Sequence, residues 1–459
     1  MTMAKRLAEL GGVIGKADPA SPSNQMPTFL KSGTKGWRKK PGAQPGHAGS
    51  RRETPDPDKT VTHTLERCPD CTGSVTKFKS KRTRIIEDIQ PDSKPSVTGH
   101  VIFRYWFAHC RKKVEPVVDD ALPDSQIGHR AISLAGMMHY LQGTTLSQIL
   151  DVYNYHLHFQ VTEGGLMQAW HRVGEILKPW YDAILEESQN QAVLNADETG
   201  WRVQGKTYWL WCLATKNAAY YLIDPKRGGS VLKRLFCSFF NGVLVTDFWG
   251  AYNSVSCLAK QKCLPHLLRD LNRTRHYHNP AGDWPEFHRK LCRLIMDGMR
   301  LKKAEKDITS DVMIRRKVKI RKRLDEFINR VWEEKHARRL WKRLRRHQDE
   351  LLTFIDHEEV PSDNNGGERA IRPAVLIRKN IFANGSEAGA QTQAIFMTIL
   401  RTLKSVMNVA SYFETRHVAP YFVRGSSVLI GWAAGLLPID SDRWIWKPCL
   451  VKYFAIRHR

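Results

Sequence analysis

Apolar positions along the chain change their period several times. From Ile127 to about Gln189 they recur at helical spacing. Ile132, Ala135, Met138 and Leu141 share one face, as do Leu146, Ile149 and Val152 after a break at Gly143–Thr145. Leu166, Ala169, Trp170 and Val173 predict a third helix over Gly165–Trp180. Short runs rich in Val, Leu, Tyr and Trp follow: Val193–Ala196, Thr207–Ala214, Ala219–Ile223 and Val243–Thr246. Such runs are strands. Gly205-Lys206 reads as the hairpin turn between the first two, and Gly229–Phe236 as a helical piece before the fourth. Helical spacing returns over 252–360, where Leu324, Phe327, Ile328 and Val331 form an apolar stripe. Ser362, Asp363, Asn364 and Asn365 are capping residues for a helix that carries Glu368 early and that Pro373 ends or kinks. A last helix spans Ala390–Val406. Strands of this kind interleaved with helices predict an α/β fold.

The flanks follow other rules. Residues 31–52 carry seven Lys or Arg and no acid among turn-forming Pro and Gly. This segment cannot build a core and predicts an extended basic arm within 1–60, suited to a phosphate backbone; a solvated linker is the plainer alternative. The turn-rich, β-prone stretch 61–122 contains Cys68-Pro69-Asp70-Cys71. A CxxC knuckle sets two thiolates on one Zn2+; Cys110 offers a third, and His109, His63 or His100 a fourth. Phe107 stands where a second CxxC would begin. The helices of 123–190 suit a helix-turn-helix-like DNA-binding domain and an ordinary helical subdomain equally. The α/β core then falls into two parts, 191–255 and 361–412, separated by a helical insertion at 256–360. Residues 413–459 form a mixed, aromatic tail without an assigned role.

Charge changes the picture most. The 459 residues carry a formal net charge of +26, which calls for a polyanionic partner, nucleic acid above all. Between Arg289 and Arg346 there are 22 Lys or Arg against 8 Asp or Glu, so the insertion is the natural place to grip it. With 42% hydrophobic residues the chain is not a disordered polymer. Nine cysteines, only two of them close together, fit a reducing cytosol better than a disulfide framework. No leader-like apolar core opens the sequence, and Val428–Leu437 stops at Pro438, short of the roughly 20 residues a bilayer needs. A soluble cytoplasmic protein without a membrane partner is expected.

Two of the strands run into carboxylates: Asp197 and Glu198 after the first, Asp247 after the fourth. Glu368 is the third candidate. Hard divalent cations take oxygen ligands, and Mg2+ completes its shell with water and phosphate. Two such ions about 4 Å apart can activate a nucleophile and stabilise a leaving oxygen in phosphoryl displacement. Glu198 competes with Asp197 for the first place, but neighbours on a strand point to opposite faces, so one of them faces the metals.

The motifs DETGWRVQGKTYWLWCLAT, GVLVTDFWGAYN, KCLPHLLRD and NNGGERAIRP with LIRKN and GSEAGA resemble, in order, the catalytic core of IS66-family transposases. KPGAQPGH and HTLERCPDCTGSV resemble that family's N-terminal segment and zinc-finger region. The resemblance spans roughly residues 30 to 405. It implies an RNase H-like core with a helical insertion, preceded by a small zinc-finger-like β unit and a helical domain. It also implies a DDE triad of Asp197, Asp247 and Glu368 holding Mg2+ or Mn2+, and a reaction of transposon-end cleavage followed by 3′-hydroxyl attack on target DNA. Cys68, Cys71 and Cys110 are the expected Zn2+ ligands, and Arg369, Arg372, Arg378 and Lys379 the expected phosphate contacts. Cys263 and His266 form a CxxH that recurs in the family; a structural and a DNA-proximal role both remain open. A homo-oligomer that holds two transposon ends, element-encoded auxiliary proteins and a nucleoid-associated place in the bacterial cytoplasm complete the expectation. The competing functions are a catalytically inactive, zinc-dependent DNA-binding regulator and a nuclease without strand transfer.

Overall fold

The computed structural model describes residues 95–107, 112–114 and 121–406. The basic arm, the tail at 413–459 and the cysteines Cys68, Cys71 and Cys110 lie outside these residues. The first described pairing is a short antiparallel one, β1 (Tyr105–Phe107) with β2 (Lys112–Val114).

The centre is a five-stranded sheet built from β3 (Val193–Val203), β4 (Lys206–Ala214), β5 (Ala219–Asp224), β6 (Phe240–Thr246) and β7 (Cys257–Lys262). Their order is β5-β4-β3-β6-β7. The first three in sequence are antiparallel; β6 then runs parallel to β3, and β7 parallel to β6. The first strand of the sheet is therefore its middle one.

Helices cover both faces. α1 (His129–Gly136) continues through a widened turn to Gln142, α2 (Leu146–Asp151) begins at a Thr145–Gln148 capping box, and α3 (Glu163–Gln189) follows. Their buried residues, among them Ile132, Ile149, Trp170 and Val173, share one core with Leu194, Ala196, Trp211 and Leu244 of the sheet. The helices of 123–190 thus form a layer that shares its core with the sheet and with the last described helix, through Phe396 and Ile399. After α4 (Gly229–Leu235) and β7, the chain leaves the sheet for α5 (Leu264–His278), α6 (Trp284–Lys303), α7 (Ser310–Asn329) and α8 (Lys335–Arg346). These pack around Phe287, Phe327 and Trp332, whose rings lie 5.0 Å apart pairwise, and join Val243 and Val245 on the opposite face. α9 (Asn365–Ile381) returns to the sheet, burying Ile371, Ala374 and Ile377 against Trp201, Val203 and Leu210.

α10 (Glu387–Val406) closes the β5 edge in a specific way. Thr398 and Thr402, one turn apart, accept the backbone N–H groups of Tyr221 at 2.9 Å and Ala219 at 3.2 Å. Side-chain hydroxyls satisfy the edge that a further strand would otherwise pair.

Several boundaries differ from the sequence reading. β3 does not end at its carboxylates: it pairs with β4 from Asn195 to Val203. The turn is Gln204-Gly205, with φ of +49° and +73°, the geometry of a tight primed hairpin turn. β7 lies within the stretch read as insertion, so the insertion starts at α5. Val331 is 61% exposed, unlike Leu324, Phe327 and Ile328 beside it. α3 passes through Pro179, and α9 passes through Pro373, held beyond that residue by the burial of Ala374 and Ile377. Acids of the insertion are consumed in local pairs: Glu286 with Arg330 (2.6 Å) and Lys290 (2.8 Å), Asp297 with Arg323 (2.7 Å) and Arg300 (3.3 Å). Arg315, Arg316, Lys319 and Lys322 stay exposed, so the surface keeps the positive excess. Among the described residues no helix is long and apolar enough to cross a membrane.

Candidate active site

The parallel pairing of β3 with β6 stops at Asn195↔Val245. Asp197 and Asp247 each come two residues later, at the same level, where the two strands part. Thr246 is the last residue of β6, so Asp247 leaves the sheet, while Asp197 stays in it through β4. Alternation along β3 sends the even positions Leu194 and Ala196 into the first core. Trp201 and Val203 go to the side of α9. By that alternation Asp197 shares its face with α9 and Glu198 does not.

Glu198 is indeed held elsewhere. Its carboxylate accepts Arg227 Nη2 at 2.9 Å and Nε at 3.2 Å, and it accepts the Tyr252 hydroxyl. Arg227 lies between two indoles, 4.2 Å from the Trp209 ring and 4.0 Å from that of Trp249. Two cation–π faces and an ion pair to the buried Glu198 carboxylate fix the guanidinium. Arg227→Met is expected to leave the Glu198 charge buried beside a single hydroxyl. Because Arg227 is itself part exposed, the cost is about 2 kcal/mol and not the full penalty of a dry pair. Thermal unfolding measures it, and Glu198→Gln in the same protein should restore most of the loss.

Among the described residues Asp197 has no such partner; its Oδ1 accepts the adjacent Glu198 N–H, at 2.9 Å. Burial, then the charges of Glu198, Asp247 and Glu368, push its pKa up to about 8. A carboxylate raised by its own neighbours marks a place short of positive charge, and a divalent cation is the species that reverses such a shift. Asp247 Oδ1 accepts the Trp249 N–H at 2.8 Å. Beneath it Lys262, fully buried, donates to Thr246 Oγ1 at 3.1 Å and lies 3.6 Å from Glu350 at the end of the insertion.

Glu368 sits in the first turn of α9, and that turn is stitched to β3. Asn364 donates to Ala196 O at 2.9 Å and accepts from Asn195 Nδ2 at 2.9 Å. Its own backbone N–H points at Cys263 Sγ, 3.3 Å away. Both asparagines are buried. Gly366 and Gly367 permit the approach: a Cβ on Gly366 would meet Asn195 at 2.8 Å, and one on Gly367 would meet Asn364 at 2.8 Å. The NNGG run is thus a packing device that sets the height of Glu368 over the sheet.

The three acids therefore come to one end of the sheet and feel one another's charge. They are not drawn into a tight cluster. Among the described residues the group whose ligand atoms all lie within 4.8 Å is Cys263, His266 and Glu368. Glu368 lies 3.5 Å from His266 Nδ1. The donor set nonetheless fits a hard divalent ion: carboxylate oxygens from two adjoining strands and a helix, with Asp197 made costly to ionise in the ion's absence.

The four cations of α9 separate. Arg369, Arg372 and Lys379 are exposed. Arg378 turns inward, its Nη1 donating to Thr199 Oγ1 at 3.2 Å and to Gly200 O, so it ties the helix to β3. Trp201 is 1% exposed and its indole N–H donates to Asn384 Oδ1 at 2.7 Å; it holds the strand against the loop before α10. Arg202 is exposed and donates to Gly205 O at 2.9 Å within the hairpin. Asn195, Arg227, Tyr252 and Lys262 were not singled out from the sequence, and Asn364 was read there only as a capping residue. The adjacent glycines of NNGG were the one available sign of a close approach.

Comparison with known proteins agrees with this layout. Residues 124–392 match the transposase IS66 family. Two curated relatives, the uncharacterized proteins y4qI and y4jD of Sinorhizobium fredii (strain NBRC 101917 / NGR234), align with the chain. The first is 27% identical over 279 residues, 52% of this chain and 50% of the relative. The second is 24% identical over 306 residues, 60% of this chain and 58% of the relative. The chain thus spans little more than half the length of the curated relatives it matches. The family match, by contrast, runs through every element that carries Asp197, Asp247 and Glu368 and covers more than half of the sequence; the chain belongs to the IS66 family of transposases.

Proposed function

We propose that this chain is the transposase of an insertion sequence, a DDE enzyme that binds transposon ends, cleaves them in a Mg2+- or Mn2+-dependent reaction and joins the freed 3′-hydroxyl to target DNA. The observation that carries the reading is the meeting of Asp197, Asp247 and Glu368 at one end of the sheet, with the Asp197 pKa raised to about 8 by burial and by the other acids. The sheet supports an RNase H-like core: three antiparallel strands, the first of them central, then two parallel ones. Asp197, Asp247 and Glu368 would hold the divalent ions, which when bound supply Lewis-acid stabilisation to the attacking and leaving oxygens.

The other residues act by position. Asn195 and Asn364 fix the first turn of α9 and with it the Glu368 backbone. Arg227 and Tyr252 hold Glu198 out of the group, leaving Asp197 as the β3 donor. Arg369, Arg372 and Lys379, exposed on the helix that bears Glu368, contact phosphates of the end being cut, and the basic surface of the insertion takes flanking duplex. Two ends must be held together, which calls for a homo-oligomer; element-encoded auxiliary proteins, a knuckle zinc and a place at the bacterial nucleoid belong to the same reading.

The test is an incubation of the protein with labelled transposon-end DNA and a target plasmid. Cleaved and joined products are expected with Mg2+ and none with EDTA. Binding without cleavage would mark a DNA-binding regulator, and cleavage without joining a nuclease; either result refutes the transposase reading.

A further inference from the structure

Glu368 faces a second set of donors. Cys263 immediately precedes α5 and His266 lies in its first turn, so the CxxH spacing puts both side chains on the same side of the helix start. His266 Nδ1 is 3.0 Å from Cys263 Sγ and 3.5 Å from Glu368 Oε1. All three ligand atoms lie within 4.8 Å of one another. Nothing in the carboxylate chemistry described above uses the thiol or the imidazole.

We propose that Cys263, His266 and Glu368 form a binding site for a zinc-class divalent ion. Tetrahedral zinc, with bonds of about 2.3 Å to sulfur and about 2.0 Å to nitrogen or oxygen, sets its ligand atoms roughly 3.5 Å apart, close to the spacing found. The donors are also of the right kind. Thiolate and imidazole select zinc over magnesium, which takes oxygen. The sulfur is fixed in place, because it is 1% exposed and lies 3.3 Å from the Asn364 N–H. On binding, the Cys263 S–H bond breaks, the sulfur keeps the electron pair and donates it to the ion, and the proton passes to solvent. His266 and Glu368 are 32% and 38% exposed, so the ion has an entry path and water completes its shell. Three protein donors with one open position is the arrangement of a reactive or exchangeable zinc, not of a closed structural one.

Glu368 then belongs to two donor sets. With Asp197 and Asp247 it makes an all-oxygen group suited to Mg2+, and with Cys263 and His266 a mixed group suited to Zn2+. Filling the second set withdraws the carboxylate from the first, which gives zinc a way to oppose cleavage. That consequence rests on the catalytic reading of Glu368; the binding itself does not.

Cobalt(II) substitutes for zinc and shows a thiolate charge-transfer absorption that reports sulfur ligation. The full-length protein carrying Cys68→Ser and Cys71→Ser, in which the knuckle lacks two of its expected thiolates, should develop this band at a single equivalent of Co2+ and lose it to a single equivalent of Zn2+. Cys263→Ser in that background should abolish the band with the circular dichroism unchanged, and His266→Asn and Glu368→Gln should each weaken Co2+ binding by about tenfold or more. A band that survives Cys263→Ser, or none in the parent protein, overturns the site. If Cys263→Ser does not fold, Glu368→Gln decides the matter, since its side chain is part exposed and its loss leaves the core intact: unchanged Co2+ affinity overturns the site. Mg2+-dependent cleavage by the parent protein in zinc-free buffer is scored separately, and its absence alongside a clear band would sink the catalytic reading and leave this site standing.

Discussion

Asp197→Asn is expected to abolish DNA cleavage and at the same time to make the metal-free protein more stable. The two effects share a cause. In the folded chain the Asp197 pKa stands at about 8 because burial and the charges of Glu198, Asp247 and Glu368 oppose its ionisation. In the unfolded chain the same group titrates at about 3.9. Between these values the folded state binds a proton that the unfolded state does not, so folding stability from this group is fully present below about pH 4 and is lost as pH rises through about 8. Asparagine cannot ionise and escapes that loss. The carboxylate is only partly buried, so the gain at pH 8 in EDTA should be about 1–2 kcal/mol, or a few degrees in Tm, and it should shrink at pH 5. Saturating Mg2+ should invert the order: the wild-type protein gains about 3 kcal/mol at a hundredfold excess over its Kd, and the variant much less. Losing a metal-binding carboxylate removes several kcal/mol of transition-state stabilisation, a fall of about a thousandfold in cleavage rate. Scanning calorimetry at the two pH values with and without Mg2+, beside single-turnover cleavage, measures both arms. Equal Tm values in EDTA at pH 8 would sink the electrostatic account, and wild-type cleavage would sink the assignment of Asp197.

The parts of this arrangement that could be read from the sequence are those in which a residue's type and its environment agree. Val193–Ala196, Thr207–Ala214 and Val243–Thr246 are apolar and β-branched or aromatic, and they are strands in the core. What escaped were positions where a distant partner overrides local type. Asp197, Glu198 and the Thr-Gly after them look like the end of a strand, yet pairing with β4 carries β3 on to Val203. β7 reads as polar helix because it contains Lys260, Gln261 and Lys262. Gln261 and Lys262 are fully buried, but Gln261 bonds to Leu351 O (3.2 Å) and the Phe354 N–H (2.8 Å), and Lys262 to Thr246 (3.1 Å). A buried polar side chain is tolerated once its hydrogen bonds are made, and here the partners of Gln261 come only after α8 and that of Lys262 stands on the neighbouring strand β6, out of reach of any local pattern. The candidate site shows the same division. Alternation along a strand separates Asp197 from Glu198 on paper, and Arg227 and Tyr252 hold that separation in the fold. The CxxH of Cys263 and His266 is visible as spacing, but its third donor comes from the far side of the insertion, and only the folded chain brings Glu368 to it.

The second large effect is expected at a residue without a side chain. A Cβ at position 366 would stand 2.8 Å from Asn195 Oδ1 and 2.9 Å from its Cγ, inside any tolerable contact. Asn195 cannot swing away freely, because it is buried and donates to Asn364 Oδ1 at 2.9 Å, while Asn364 bonds to Ala196 O. In Gly366→Ala the first turn of α9 must therefore lift off β3, or the two asparagines must part. Parting leaves buried amide groups without partners, at about 1–3 kcal/mol for the group stranded. Lifting moves Glu368, two residues on, away from Asp197 and Asp247, and a shift of about 1 Å at a reacting centre can lower the rate about a hundredfold. The expected result is a Tm lower by several degrees and cleavage down by about a hundredfold, with affinity for end DNA little changed, because Arg369, Arg372 and Lys379 stay exposed on the same helix. Gly164→Ala is the matched control: nothing lies within 4 Å of the added carbon, and it falls in the first turn of α3. There alanine should be neutral or stabilise by about 0.4–1 kcal/mol, through the unfolded chain. If Gly366→Ala matches the wild type in both Tm and cleavage, the NNGG contact does not position Glu368, and the geometric link between the helix start and the carboxylate group fails with it.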